Sequence, residues 1–343
     1  MKIIDVPKML DLVQRVGVRR FLVGLTAAIE EDFRRWPEFE KSPRVASHVP
    51  GGVIELMPTT DGKLYSFKFV NGHPANTASG KLTVTAFGAI ADTCSGYPLL
   101  ICEMTFLTAL RTAATSALAC KYLARKDCHT MAMIGTGAQA EFQALAFQAV
   151  NGVHRIQYFD RDPAAMRKFA ANLTSISDLE LVPKTSVTAA VEAANVVTTA
   201  TACKTRVSVL TDEMVRPGMH LNAIGGDCPG KTELAAEILR RARIVVEYTP
   251  QTRMEGEIQA LETTFPVAEL WEIVAGRIPG RHNESEITVF DSVGFAIEDF
   301  AALRYVLGLL EEFSLDARAD FVPDLSDPKD LYALVRTRAE KVM

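Results

Sequence analysis

Apolar positions follow two regimes along this chain. Over residues 8–38 they recur at helical spacing, with Met9, Leu10, Leu12 and Val13 followed by Phe21, Leu22, Leu25, Ala28 and Ile29. That period predicts helix, with Arg19, Arg20, Arg34 and Arg35 on a solvated face. After Pro43 the runs shorten. Stretches at 53–57, 64–70, 82–87 and 98–102 alternate in part and are separated by Gly, Asp, Asn and Pro, which predicts a mostly antiparallel sheet built from hairpins. Small and apolar residues over 105–124 predict one closely packed helix. Strand and helix patterns then alternate: strand 130–134, a helix to about 150, strand 155–159, strand 179–182, helix 187–194 and strand 195–201. Strand 219–224, helix 234–240, strand 244–248, strand 287–290 and a helix through 310 complete the series. Such repetition predicts a parallel, doubly wound sheet with right-handed crossovers. The tail has a helical pattern of its own from about Asp330, and is expected to return to the first domain.

Charges interrupt the apolar pattern at a few places. Glu55 breaks an apolar strand, and Lys68 lies between Phe67 and Phe69. A charge on such a strand usually faces solvent at an edge; buried, it requires a partner. Arg44, just before the sheet, has the same two readings. Arg111 is the early charge in the 105–124 helix, either a surface residue or a planar fork aimed at a carboxylate or pyrophosphate.

The strand at 130–134 runs into Gly135-Thr-Gly-Ala-Gln-Ala140, and the next strand ends at Asp160. This is the dinucleotide fingerprint in register: strand, glycine turn, helix, strand, acid. Gly135 makes the tight turn, Gly137 lets the backbone approach a pyrophosphate, and Ala140 keeps the helix close to the sheet. The free N–H groups of the helix start bind phosphate. Asp160 can accept from both ribose hydroxyls and repels a 2′-phosphate, which favours NAD over NADP, with Arg161 as the one neighbouring cation. Further on, the 219–224 strand enters Gly225-Gly-Asp-Cys-Pro-Gly-Lys-Thr-Glu-Leu234. Thr232 is expected to cap a helix beginning near Glu233. Taken alone, the stretch is either a ligand-binding mouth with Asp227 and Lys231 at work or an ordinary solvated loop.

Composition narrows the class. The 343 residues suffice for about two domains. A formal net charge of −5 argues against nucleic acid or an anionic membrane as the main partner. Six scattered cysteines show no zinc-knuckle spacing, which suits buried thiols in a reducing compartment and no metal. No basic, apolar leader opens the chain, and no run approaches the about 18 uncharged apolar residues of a membrane span. A cytoplasmic location is expected.

With these residues in hand, the chain resembles the ornithine cyclodeaminase/μ-crystallin family over essentially its whole length. The carrying pieces are Lys68-Phe-Val-Asn-Gly-His-Pro74, Glu103-Met-Thr followed by Leu107-Thr-Ala-Leu-Arg-Thr-Ala-Ala114, Gly135-Thr-Gly-Ala-Gln139, and the 225–234 stretch. The last is the piece that looks like the cyclodeaminating branch. The resemblance implies an α/β chain: a Rossmann-type doubly wound NAD-binding domain at 116–319, plus a discontinuous α+β substrate and dimerisation domain at 1–115 joined by 320–343. It also implies a homodimer and a diamino acid substrate, ornithine, cyclised to proline with release of ammonia. Carried over by motif, Asp227 is the catalytic acid/base. Arg44, Lys68 and Arg111 surround the substrate carboxylate, with Glu55 and Val293 at the substrate pocket. Thr83, Arg111, Thr112, Gly135, Gly137, Ala138, Gln139, Asp160, Thr201, Gly225, Gly226, Lys231 and Ser292 are the implied NAD contacts. Two other readings stay open: an imine reductase or amino-acid dehydrogenase of the same family, and a non-catalytic ligand-binding protein.

Overall fold

The computed structural model describes residues 1–176, 178–201, 206–226, 228–315 and 317–335. The chain opens with β1 (Lys2–Ile4), α1 (Val6–Val16) and α2 (Val18–Arg34). The Asp5 side chain caps α1 by accepting the Lys8 N–H at 3.0 Å. The helical stretch expected over 8–38 is divided into α1 and α2 at Gly17, whose φ of 83° lies outside the helical region. Next come β2 (Val45–Val49), β3 (Gly52–Thr60), β4 (Leu64–Gly72), β5 (Val84–Asp92) and β6 (Pro98–Glu103). They form one sheet in the order β1-β6-β5-β4-β3-β2, antiparallel except that β1 runs parallel to β6. The long helix α3 (Thr105–Leu123) leads from this sheet to the second.

The second half continues with β7 (Thr130–Ile134), α4 (Ala140–Asn151), β8 (Arg155–Phe159), α5 (Pro163–Leu173), β9 (Glu180–Pro183), α6 (Val187–Val191), β10 (Val196–Thr199), β11 (Arg206–Leu210) and β12 (His220–Ala223). It ends with β13 (Thr232–Leu234), α7 (Ala236–Arg241), β14 (Arg243–Val246), α8 (Thr249–Glu255), β15 (Ala268–Glu269), α9 (Leu270–Val274), β16 (Thr288–Asp291) and α10 (Ala296–Glu312). Among the described residues the large sheet runs β15-β14-β16-β12-β10-β7-β8-β9, parallel throughout. This is the expected α/β fold of doubly wound type. From β7 the order steps to β8 on one side and to β10 on the other, so the crevice for a ligand lies at the carboxyl ends of β7 and β10.

Helix α10 packs on the inner face of β3, β4 and β5 and against α2. The chain therefore returns to the first sheet at Ala296. Beyond α10, Ala317 O accepts the Ile3 N–H at 2.7 Å, and Ala319 N–H reaches Met1 O at 3.1 Å, so this segment lies against β1. Residues 336–343, the end of the helical pattern expected in the tail, fall outside the described residues. No described helix is long and apolar enough to cross a membrane.

Candidate active site

The fingerprint loop folds as its residues require. Gly135 has φ 93°, and a Cβ there would lie 2.6 Å from Ala200 O, so the β7 turn touches the end of β10 and only glycine fits. At Gly137 a Cβ would meet open space, which leaves the backbone before α4 bare for a phosphate. Ala138 is exposed beside it, and Gln139 is half-buried with a buried Oε1 that has no hydrogen-bond partner. At the end of β8, Asp160 accepts the Thr136 N–H at 2.6 Å and the Asp162 N–H at 2.9 Å, which ties the acid to the turn. A bare glycine cradle, an orphaned amide oxygen and a carboxylate at the strand end fit a dinucleotide.

The charges on the first sheet are buried, not at an edge. Cross-strand register pairs Glu55 with Val70 and Lys68 with Met57 and Gly88, and period-2 alternation turns Glu55 and Lys68 to the same inner face. Lys68 is 1% exposed and bonds Asp299 at 2.8 Å. Arg111, on the buried side of α3, reaches Glu298 through Nη1 at 2.8 Å and Asp299 through Nε at 3.0 Å. Arg44 bonds Glu55 at 3.0 Å, lies 3.2 Å from Glu255, and donates to the carbonyls of Val293 at 2.6 Å and Gly294 at 2.8 Å. Glu247, just past β14, accepts the Ser292 hydroxyl at 2.5 Å and the Gly294 N–H at 3.1 Å. Arg111 packs against Gly294, where a Cβ would lie 2.6 Å from its Nη1. The turn at Ser292–Gly294 follows β16, so the cationic cluster sits against the carboxyl edge of the parallel sheet, the edge that holds the crevice.

Electrostatics set this cluster apart. Burial, followed by the neighbouring Arg111 charge, lowers Lys68 to about 8. Burial likewise pushes Glu298 up to about 8, against the pull of Arg111, and it also raises Glu247. Arg44 has most of its five donors committed, whereas Arg111 keeps Nη2 free of the ion pairs above. Glu247, Glu255, Glu298 and Asp299 were not anticipated from sequence. One signal was available: Glu298 and Asp299 are adjacent charges in the otherwise apolar run 293–303, and a helix apolar on all sides is buried, charges included.

The 225–234 stretch differs from expectation after its first residues. Gly225 and Gly226 are buried beyond β12, but Thr232 does not cap a helix. It begins β13, which pairs with β11 in parallel, and the helix starts later at Ala236. A long-range strand pairing has overridden the local capping signal. Lys231 is 9% exposed in this turn. Thr201, past the end of β10, donates through its N–H to Glu233 at 2.7 Å, so β10 and the loop are joined. Thr112 is half-buried beside Arg111 on α3. Thr83 lies just before β5, its carbonyl accepting the His73 N–H at 2.8 Å. Asp227 lies outside the described residues.

The sequence model of the ornithine cyclodeaminase/mu-crystallin family matches residues 6–312. An ornithine cyclodeaminase from Brucella suis is 56% identical over 340 residues, covering 99% of this chain and 94% of its own. Among solved structures, a lysine cyclodeaminase studied for recognition of L-lysine, L-ornithine and L-2,4-diaminobutyric acid superposes with a TM-score of 0.88 at 31% identity, covering 97% of this chain and 99% of that one. An archaeal alanine dehydrogenase dimer with bound NAD superposes with a TM-score of 0.83 at 31% identity, covering 94% and 99%.

Proposed function

The chain belongs to the ornithine cyclodeaminase/mu-crystallin family, and from that premise we infer that it is an NAD-dependent ornithine cyclodeaminase, converting L-ornithine to L-proline and ammonia. The observation that carries this reading is the buried Arg44–Lys68–Arg111 cluster packed on the Val293–Gly294 turn at the carboxyl edge of the parallel sheet, in a chain so closely related to ornithine cyclodeaminases. A buried cationic group at that edge suits the α-carboxylate of an amino acid.

Gly135, Gly137, Ala138, Gln139 and Asp160 hold the NAD at the β7 turn, with Thr201, Lys231 and Ser292 from neighbouring loops. NAD bound there would supply a reversible hydride acceptor for the substrate Cα, so the reaction would proceed without net oxidation. The protein's part is to hold the substrate and move protons. Lys68 and Arg111 fix the carboxylate, and Arg44 holds the Val293–Gly294 turn that walls the pocket. The α-amine must be neutral before Cα is oxidised, the side-chain amine must shed a proton to close the five-membered ring, and the departing nitrogen must gain one. One carboxylate poised as both base and acid can serve all three transfers, the role of Asp227. Glu55 adds negative charge near the substrate's ammonium end. Ring closure is intramolecular, so positioning supplies much of the rate.

The active form is a homodimer joined through the outer face of the first sheet. Ile54, Leu56, Tyr65 and Phe87 are exposed there, with Phe87 48% accessible and stacked on Phe69, an apolar face of the kind that marks an interface. The location is the cytoplasm, in keeping with the scattered thiols.

Incubation with ornithine and a trace of NAD tests the reaction. Stoichiometric proline and ammonia without accumulating NADH are expected. Net NADH production would instead indicate a dehydrogenase.

A further inference from the structure

Beneath the Gly225–Leu234 loop lie three buried carboxylates that the proposed chemistry does not use. Asp291, the last residue of β16, accepts the Glu257 N–H through one oxygen at 2.9 Å and the Ile258 N–H through the other at 2.9 Å. Glu257 repeats the pattern one step on, accepting the Glu233 N–H at 2.8 Å and the Leu234 N–H at 3.0 Å through different oxygens. Glu233 ends the series by accepting both the N–H, at 2.7 Å, and the hydroxyl of Thr201. None of the three is more than 1% exposed.

Each carboxylate occupies the space a glycine leaves free. A Cβ on Gly256 would lie 2.6 Å from both Asp291 oxygens, one on Gly226 would lie 2.5 Å from Glu257 Oε1, and one on Gly225 would overlap the Glu233 carboxylate. Gln259 adds two ties, accepting the Gly230 N–H at 2.6 Å and donating to Lys231 O at 3.0 Å. Burying a carboxylate is expensive unless donors satisfy it. In return it offers two acceptor oxygens and no donor, which suits convergent backbone N–H groups. The joined segments follow β10, β12, β14 and β16, and apart from the short β11–β13 pairing these carboxylate bonds hold the neighbouring loops together. Both oxygens of Asp291 and of Glu257 accept N–H groups, the pattern of ionised acids, although burial raises Asp291 to about 7 and burial together with the Asp291 charge raises Glu257 to about 8.

We propose that Asp291, Glu257 and Glu233 form a serial carboxylate-to-amide chain that holds Glu233–Leu234 against Thr201, with Gly225 and Gly226 packed on its carboxylates, and are positioning residues for proton transfer by Asp227. The proposal rests on the reading of Asp227 as the acid/base. Glu257→Gln tests it in the NAD-loaded enzyme, because an amide offers one acceptor oxygen where two are used. Turnover (kcat) is expected to fall at least tenfold, while KM for ornithine and Kd for NAD change less than threefold. Amide hydrogen exchange is expected to quicken at 232–234. Asp291→Asn, at the far end of the chain, should loosen 257–258 and carry the loss on to 232–234. Wild-type kcat in folded Glu257→Gln overturns the proposal, as does loosening in Asp291→Asn that stops at 257–258. If Glu257→Gln does not fold, the exchange pattern of Asp291→Asn decides alone. Asp227→Asn separates the two claims: retained turnover there removes the acid/base reading itself, whereas a dead Asp227→Asn beside a fully active Glu257→Gln removes only the chain.

Discussion

Replacing Asp299 by Asn removes the counter-charge of Lys68 while keeping the side chain's shape. Asp299 and Lys68 are each 1% exposed and bonded at 2.8 Å, and Arg111 Nε lies 3.0 Å from the same carboxylate. Breaking a buried pair at one partner costs about 3–5 kcal/mol, because the remaining charge is left without compensation. For 343 residues, an unfolding entropy of about 2.1 cal/mol/K per residue makes that a fall in Tm of about 4–7 °C. Lys68 already sits at about 8, and without Asp299 it loses its proton more readily. The carboxylate clamp then loses a cation near neutral pH, and KM for ornithine is expected to rise at least tenfold, about 1.4 kcal/mol. Thermal melting and steady-state kinetics at pH 7.5 read the two effects. The double variant Lys68→Met with Asp299→Leu separates them: an apolar pair of similar volume restores part of the stability, Arg111 keeping only Glu298, but not substrate binding. If Asp299→Asn keeps its Tm within 1 °C and its KM within twofold, the pair does not maintain the charge of Lys68, and the clamp is wrongly assigned.

The same cluster gives a pH dependence. As pH rises through about 8, Lys68 loses its positive charge and Glu298 gains a negative one, so both changes weaken the hold on a carboxylate. KM for ornithine should therefore climb above that pH in initial-rate profiles, and Lys68→Arg should flatten the climb, since a guanidinium stays protonated. At the cofactor end, Asp160→Ser removes the acid that repels a 2′-phosphate; Kd values from fluorescence titration should show NAD weakened about tenfold and discrimination against NADP reduced. Phe87→Asp, on the exposed face of the first sheet, should give a folded monomer by light scattering, and a dimer unchanged by it would put the interface elsewhere.

Local pattern made much of this fold legible. The period-2 runs marked β3, β4, β5 and β6, and the glycine fingerprint marked the turn between β7 and α4, because tight turns demand specific residue types. What stayed hidden depends on contacts remote in sequence. Glu55 and Lys68 read equally as edge charges until α10, more than 200 residues on, brought Asp299 to Lys68. Thr232 looked like a cap until β11 paired with β13. The carboxylate series under the loop has no sequence period at all, since Glu233, Glu257 and Asp291 come from different βα units. Only the glycines opposite them, Gly225, Gly226 and Gly256, left a trace in the sequence.

In an ornithine cyclodeaminase the hydrogen taken from the substrate's Cα is given back to it within one turnover. L-ornithine carrying deuterium at Cα, supplied with NAD at a small fraction of its concentration, tests this directly by mass spectrometry of the product. Proline that retains the deuterium at Cα, one ammonia per proline and no rise in NADH are expected. Proline without the label, or label accumulating in the reduced cofactor, would contradict it.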